Sequence, residues 1–235
     1  MRTVLRIAAL PFVLAAVAAG LCYAAAGATL GFYFGSIALV SLILPAMAAG
    51  QDDRARTLIA GAAVVDGVGI VWLAAALGGA TSLGQWLACY VALAAYALAL
   101  CGLARGLNRM FGWIAAAAGV VVAAIAWLTW PVWMSAEWSA SAAGWLTPAQ
   151  PLFAVNHVLL DLGVWTQQRL MYQYTALGQD VPYALPRSIW PCVLLHAFVG
   201  AMALWWSQPA RRAPSSGSSS GSPALSSTSA SAAGA

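Results

Sequence analysis

The chain has 235 residues, of which 63 % belong to the hydrophobic set AVILMFWYC and only 7 % are charged. A soluble domain carries about 25 % charged residues, so this chain has too few to cover a globule that faces water. Its composition excludes a soluble fold and predicts an all-α protein that crosses a membrane several times.

Membrane helices need about 20 mainly apolar residues, and six segments of the sequence meet that requirement. They lie at roughly 4–26, 30–49, 57–77, 84–104, 111–133 and 189–207. The first two form one uncharged stretch that is too long for a single crossing, so we expect a turn near residues 27–29. Residues 1–207 are therefore predicted to form a bundle of six transmembrane helices.

The placement of the basic residues predicts the orientation of these helices. The chain has no lysine, and eight of its ten arginines form four pairs close to the ends of the apolar segments, namely Arg2/Arg6, Arg54/Arg56, Arg105/Arg109 and Arg211/Arg212. All four pairs lie in the cytoplasm if the N-terminus does, as the positive-inside rule requires. We therefore predict a multi-pass protein of a bacterial inner (plasma) membrane with both termini in the cytoplasm.

Two features near the termini affect this topology. Arg2, Arg6 and the sequence Ala24-Ala25-Ala26 also match the pattern of a secretory signal with a cleavage site, and cleavage there would leave five crossings. At the other end, residues 208–235 consist mostly of Ser, Ala, Gly and Pro. Such a segment cannot bury enough apolar surface to fold, so it is predicted to be a disordered cytoplasmic tail.

Residues 134–188 form a long connection on the predicted outer side, which we call the outer cap. Its many Trp and Tyr side chains distinguish it from a disordered linker, and apolar positions between Pro151 and Gly178 follow helical spacing. Polar residues interrupt that run and leave it too short for a crossing. The outer cap is therefore predicted to contain an interfacial or re-entrant helix, followed by an irregular stretch after Gly178.

Asp66 and His196 are the ionisable residues that lie deep inside predicted crossings. Such residues are costly in a bilayer and usually face the interior of a bundle, where they mark a pathway or a proton relay. At 1.5 Å per residue their predicted depths differ by only several ångströms. We therefore hypothesise that Asp66 and His196 form a buried polar pair if the third and sixth segments are neighbours.

Four residues of the outer cap are further candidates. His157 and Asp161 are spaced i, i+4, so their side chains would meet on one helix face and form either a surface hydrogen bond or a proton-handling pair. Arg169 and Asp180 are the other two candidate functional residues of the outer cap.

The sequence contains none of the motifs that usually mark a catalytic or metal site. There is no CxxC, HExxH or Walker motif, and no catalytic or metal-binding residue is predicted. His157 and His196 are possible axial ligands of a haem, but neither stands in a motif that supports one. The scattered arginine pairs are also unlike the clustered basic surface that binds nucleic acid.

Three classes of function remain open. The first is an integral membrane subunit of a transporter or translocation complex that uses Asp66, alone or with His196, within the bundle. The second is a non-catalytic component of a larger membrane assembly that binds a partner through the aromatic outer cap. The third is a redox subunit that binds a quinone or a haem. In each class the expected partners are the lipid bilayer and other membrane subunits.

Overall fold

A computed structural model of the chain describes residues 2–51, 53–133, 140–167 and 183–207. Over these residues the protein is helical and contains no strand. Its α-helices, numbered in chain order, are α1 (Arg2–Ala26), α2 (Leu30–Ala49), α3 (Arg54–Leu77), α4 (Leu83–Phe111), α5 (Trp113–Trp133), α6 (Ala140–Leu146), α7 (Pro151–Val158) and α8 (Trp190–Trp206). Short 3₁₀ turns follow α6 and α7.

Helices α1 to α5 are each long and apolar enough to cross a membrane. Helix α8 is apolar too, but it has only 17 residues and is therefore about 26 Å long, somewhat less than the hydrocarbon core of about 30 Å. The prediction of a membrane-embedded helical bundle is confirmed for five helices. The sixth crossing and the orientation stay predictions, as does the disordered tail at 208–235, which lies outside the described residues.

The predicted segments agree with the helices to within one helical turn, except at the end of α4. Helix α4 continues past Arg105 and Arg109 to Phe111, beyond the predicted end of the fourth segment near residue 104. Arg105 donates from Nη1 to the carbonyl oxygen of Gln51 at 3.3 Å, and this contact is made from within the helix. Gly112 directly follows the last residue of the helix, and its φ of 81° is a backbone conformation that favours glycine.

Helices α2 and α4 form the centre of the bundle. In each, 61 % of the most apolar window is buried, compared with 17 % in α1 and 28 % in α5. On one side of this centre α3 packs against α1, α2 and α4, and on the other side α5 packs against α2 and α4. Helix α8 packs mainly against α4. Helix α4 therefore separates α3 from α8.

Glycines allow close approach at two helix crossings. A Cβ atom on Gly200 would lie 2.6 Å from the carbonyl oxygen of Leu98, and one on Gly102 would lie 2.5 Å from the carbonyl oxygen of Gly200. Helices α4 and α8 therefore cross backbone against backbone. Gly67 has the same role between α3 and α1, because its Cβ would lie 2.5 Å from the carbonyl oxygen of Phe12. Small residues of this kind are typical of helix contacts in membranes.

The described part of the outer cap packs onto the end of the bundle where α2 and α4 begin. Helix α7 is inserted there, with every residue from Pro151 to Asn156 buried. The fully buried side chain of Gln150 caps the start of α7 by accepting from the backbone N–H of Phe153 at 2.9 Å, and its amide donates to the carbonyl oxygen of Leu128 in α5 at 3.0 Å. A polar side chain therefore anchors the cap inside the bundle.

Candidate functional sites

Asp66 lies halfway along α3 but on the outer surface of the bundle. Its side chain is exposed and lines a groove of about 490 Å³ between α1 and α3. The groove is otherwise apolar, and its walls include the alanines at positions 8, 9, 62 and 63. We call this surface the Asp66 groove.

A neighbouring tyrosine holds the Asp66 carboxylate. The hydroxyl of Tyr90 in α4 donates to Oδ1 of Asp66 at 2.5 Å. The Tyr90 ring stacks on Trp86 one turn earlier, with ring centroids 5.6 Å apart, and the Trp86 indole N–H donates to the carbonyl oxygen of Gly69 at 3.0 Å. Gly69 is required for this arrangement, because a Cβ there would lie 2.6 Å from the Tyr90 ring.

His196 has the opposite environment and lies inside the bundle. Its side chain is 6 % exposed, and Nδ1 lies 2.8 Å from the carbonyl oxygen of Cys192. Since that oxygen only accepts, Nδ1 carries the proton. The ring of Tyr96 lies edge-on to the imidazole at 5.3 Å, and the ring of Trp127 lies 6.4 Å away. Both distances are between ring centroids.

The structure does not bring Asp66 and His196 together, so the hypothesis of a hydrogen-bonded pair is corrected. Asp66 is bonded to Tyr90 and His196 to the backbone of its own helix. Helix α3 packs against α1, α2 and α4, whereas α8 packs mainly against α4 and not against α3. The two residues have similar depths along their helices, but depth carries no information about which helices are neighbours.

The predicted helical pair of His157 and Asp161 is also corrected. Helix α7 ends at Val158, and Asp161 lies in a 3₁₀ turn beyond it, so the two residues do not share a helix face. The fully buried Asn156 is responsible for this change of direction. Its amide donates to the carbonyl oxygen of Gly163 at 2.8 Å, and its Oδ1 accepts from the backbone N–H of Trp165 at 2.8 Å.

Asp161 instead joins the outer cap to the start of α4. Gln85 forms a capping box with Ser82, and its Nε2 also donates to the carbonyl oxygen of Val158 at 3.0 Å and to Oδ2 of Asp161 at 3.1 Å. A single side chain therefore caps α4 and holds the end of α7. The other two cap candidates, Arg169 and Asp180, lie outside the described residues.

Aromatic side chains complete the contact between the outer cap and the bundle. The ring of Phe153 packs against Trp130 of α5, Trp165 and Tyr183, and Trp165 also contacts Phe34 of α2. The Tyr183 hydroxyl lies 2.6 Å from the hydroxyl of Thr166. Burial raises the pKa of Tyr183, and this hydrogen bond acts in the opposite direction.

The structure offers few ligands for a metal or a haem. Among the described residues no group of three His, Cys, Asp or Glu side chains is suited to hold a metal ion. The four cysteines are free, and three of them are fully buried. His157 lies in helix α7 of the outer cap, and His196 lies inside the bundle beside Tyr96; haem binding stays a prediction.

Sequence reasoning missed Tyr90, Gln85 and Gly69. Tyr90 follows Trp86 by four residues on α4, which places the two on one helix face, but nothing in the sequence links that face to α3. Gln85 could have been found from the Ser-x-x-Gln capping signature at Ser82. No known family model, curated protein or solved structure matches this chain. The arguments for function therefore come from the geometry alone.

Proposed function

We propose that this protein is an integral subunit of a membrane transport or translocation complex, and that a transmembrane helix of a partner subunit lies in the Asp66 groove. The observation that supports the proposal is the exposed carboxylate of Asp66 halfway along a membrane-length helix. A charged group at the centre of a bilayer costs a few kcal/mol on insertion scales. A cation on a partner helix would offset this cost and would account for the location of Asp66 on the outside of the bundle.

The geometry of the groove also defines the chemistry of this partner. Tyr90 donates to one carboxylate oxygen, and the second oxygen has no hydrogen-bond donor among the described residues. An Arg, Lys or His side chain on the partner helix would supply that donor and a complementary charge. The alanines of the groove allow a helix to approach closely, as at other small-residue contacts in membranes.

The proposal includes the topology predicted from the arginine pairs. With six crossings of a bacterial inner membrane, both termini lie on one side and the outer cap lies on the other. The arginine pairs favour the cytoplasm as the side of the termini. In that orientation α8 forms the sixth crossing, and the membrane thins or the helix ends lie at the interface to accommodate its 17 residues. The burial of α7 from Pro151 to Asn156 is consistent with a re-entrant helix. The non-helical backbone next to such a helix lies at membrane depth and must be buried in protein.

Carbodiimide labelling tests the Asp66 groove directly. N,N′-dicyclohexylcarbodiimide adds to protonated carboxyl groups in apolar surroundings, and the product is detected by mass spectrometry. We expect Asp66 to react in the purified protein and to be protected at least several-fold in native membranes, where the partner cation keeps it ionised. Asp66→Asn is the control for the assignment of the labelled residue. Equal labelling in both samples would contradict the proposal.

Photo-crosslinking then tests which surface receives the partner. A crosslinking amino acid at Ile70, which is 54 % exposed one turn from Asp66, is compared with one at Val122 on α5, which is 67 % exposed. We expect a discrete crosslinked product from Ile70 that is lost in the Asp66→Asn background, and none from Val122. Products of equal yield from both positions would refute a specific docking surface.

A second candidate function is a non-catalytic component that binds its partner through the outer cap. It is favoured by Trp145, which is 80 % exposed although the neighbouring helix α7 is buried. The same crosslinker at Trp145 distinguishes the two candidates. A product from Trp145 that persists in Asp66→Asn would favour docking through the cap over docking in the groove.

A further inference from the structure

A second cavity lies on the side of α4 that faces away from Asp66. It is a cleft of about 310 Å³ between α4, α5 and α8, and we call it the His196 cleft. Its walls are almost entirely apolar, apart from His196, Trp127 and Tyr96. The rim residue Leu195 is 41 % exposed, so the cleft opens towards the surface that these helices present to lipid.

His196 offers one hydrogen-bond acceptor to this cleft. Because its Nδ1–H donates to the carbonyl oxygen of Cys192, the other ring nitrogen, Nε2, carries a lone pair. No hydrogen bond to Nε2 is formed by any described residue. The side chain is more than nine-tenths buried, so the available partner for Nε2 must enter through the cleft.

Trp127 also lines this cleft. Its indole N–H is buried and has no partner among the described residues, which is costly for a polar group. The Trp127 and His196 rings are neighbours, with their centroids 6.4 Å apart. An unpartnered donor and an acceptor therefore belong to two neighbouring rings that border one apolar cavity.

Tyr96 does not satisfy either group. The hydroxyl of Ser41 donates to the carbonyl oxygen of Ile37 at 2.9 Å, so the Tyr96 hydroxyl donates to Ser41 Oγ at 2.8 Å. The hydroxyl of Tyr96 is thereby held in the core between α2 and α4, and only its ring borders the cleft. The ring provides an aromatic wall beside those of His196 and Trp127.

We infer that the His196 cleft binds the headgroup of a quinol-class lipid, with a hydroxyl that donates to Nε2 of His196 and accepts from the indole N–H of Trp127. A hydroxyl satisfies both protein groups, and a flat aromatic headgroup fits a cavity bordered by three rings. The apolar tail leaves through the opening near Leu195. A quinone carbonyl only accepts hydrogen bonds, so the site favours the reduced form over the oxidised form.

The inference is tested with purified protein in nanodiscs of defined phospholipid. A short-chain ubiquinol analogue and its oxidised form are titrated separately, and binding is followed by calorimetry. We expect saturable binding of the quinol that is about tenfold tighter than that of the quinone. That ratio corresponds to the loss of one hydrogen bond, which is typically worth about 1 kcal/mol.

Three variants assign the binding to the named groups. We expect Trp127→Phe and His196→Phe each to weaken quinol binding about five- to tenfold, and His196→Phe also to abolish the preference for the reduced form. Trp130→Phe is the matched control, because Trp130 lies on the same helix and has an equally unpartnered indole N–H but does not line the cleft. If His196→Phe fails to fold, Trp127→Phe and Trp130→Phe still provide the comparison.

Several results would overturn the inference. One is the absence of saturable binding of either form. Another is an equal effect of Trp127→Phe and Trp130→Phe. Equal affinity for diacylglycerol or a sterol would show that the cleft recognises a hydroxyl but not a quinol ring. None of these results bears on Asp66, so the cleft and the proposed subunit role can fail independently.

Discussion

The Asp66 groove and the His196 cleft each accommodate a polar side chain in an apolar bundle, but they do so in different ways. Each contains a polar side chain near the middle of an apolar helix, and each involves a tyrosine of α4. Tyr90 reaches outwards and donates to an exposed carboxylate. Tyr96, six residues later, donates inwards to Ser41 while its ring packs on the buried His196.

The difference between the two regions lies in what remains unsatisfied. His196 forms an internal hydrogen bond and can stay neutral, so it tolerates burial with one free lone pair. Asp66 has a single donor and an exposed position, so an ionised carboxylate there needs a cation from outside the chain. On this basis we propose a protein helix as the partner of the groove and a small molecule as the ligand of the cleft.

The largest effect confined to the His196 cleft is expected for Gly200→Ala. The added methyl would lie 2.6 Å from the backbone of Leu98, so α8 must move away from α4. We expect a loss of about 2–3 kcal/mol in the free energy of unfolding, in the range known for overpacked cores, together with loss of quinol binding. Denaturant unfolding in detergent measures the first effect and calorimetry the second.

Carbodiimide labelling of Asp66 should be unchanged in Gly200→Ala. The matched substitution is Gly119→Ala on α5, where the nearest atom to the new methyl is Leu107 Cδ1 at 4.0 Å. Since alanine also lowers the entropy of the unfolded chain, that variant should be neutral or slightly more stable. A comparable loss of stability in both variants would show that the α4–α8 crossing is not specially close.

Gly67→Ala should perturb the opposite side of the bundle by a smaller amount. Its methyl would lie 2.5 Å from the carbonyl oxygen of Phe12 and would push α1 away from α3. Because α1 is the least buried of the long helices, we expect a cost of about 1–2 kcal/mol. The protection of Asp66 in native membranes should fall, whereas quinol binding should stay within twofold of the unaltered protein. Loss of quinol binding instead would show that the two regions are coupled through α4.

The smallest effect on stability is expected for Tyr90→Phe. The variant removes one hydrogen bond at an exposed site, which is worth about 1 kcal/mol or less. Without this donor the ionised carboxylate is less stabilised, so Asp66 in the purified protein should react faster with carbodiimide at a given pH. Gly69→Ala should act in the same direction by displacing the Tyr90 ring. Gly84→Ala, at an open position near the start of α4, serves as the control. Unchanged reactivity in Tyr90→Phe would mean that its hydroxyl does not stabilise the carboxylate.

The outer cap shows that a local sequence pattern can predict where a helix begins but not where it ends. The apolar spacing predicted a helix after Pro151, and α7 begins there. It ends at Val158, well before Gly178, because the buried Asn156 binds the backbone at Gly163 and Trp165. These two hydrogen bonds, to residues seven and nine positions later in the chain, compete with continuation of the helix. The periodicity of the apolar residues does not reveal them.

The sequence by itself determined the class of the protein and the position of its helices, because both depend on local hydropathy and on the need to satisfy backbone hydrogen bonds within each segment. It also identified Asp66 and His196 as unusual, since charge and depth are properties of one helix at a time. Only the tertiary structure decided which helices are neighbours. That choice follows from a few glycines and the side chains they admit, as Gly102 and Gly200 bring α8 to α4 while Gly67 brings α1 to α3. The two polar residues predicted to form one pair are therefore parts of two different regions, and helix α4 lies between them.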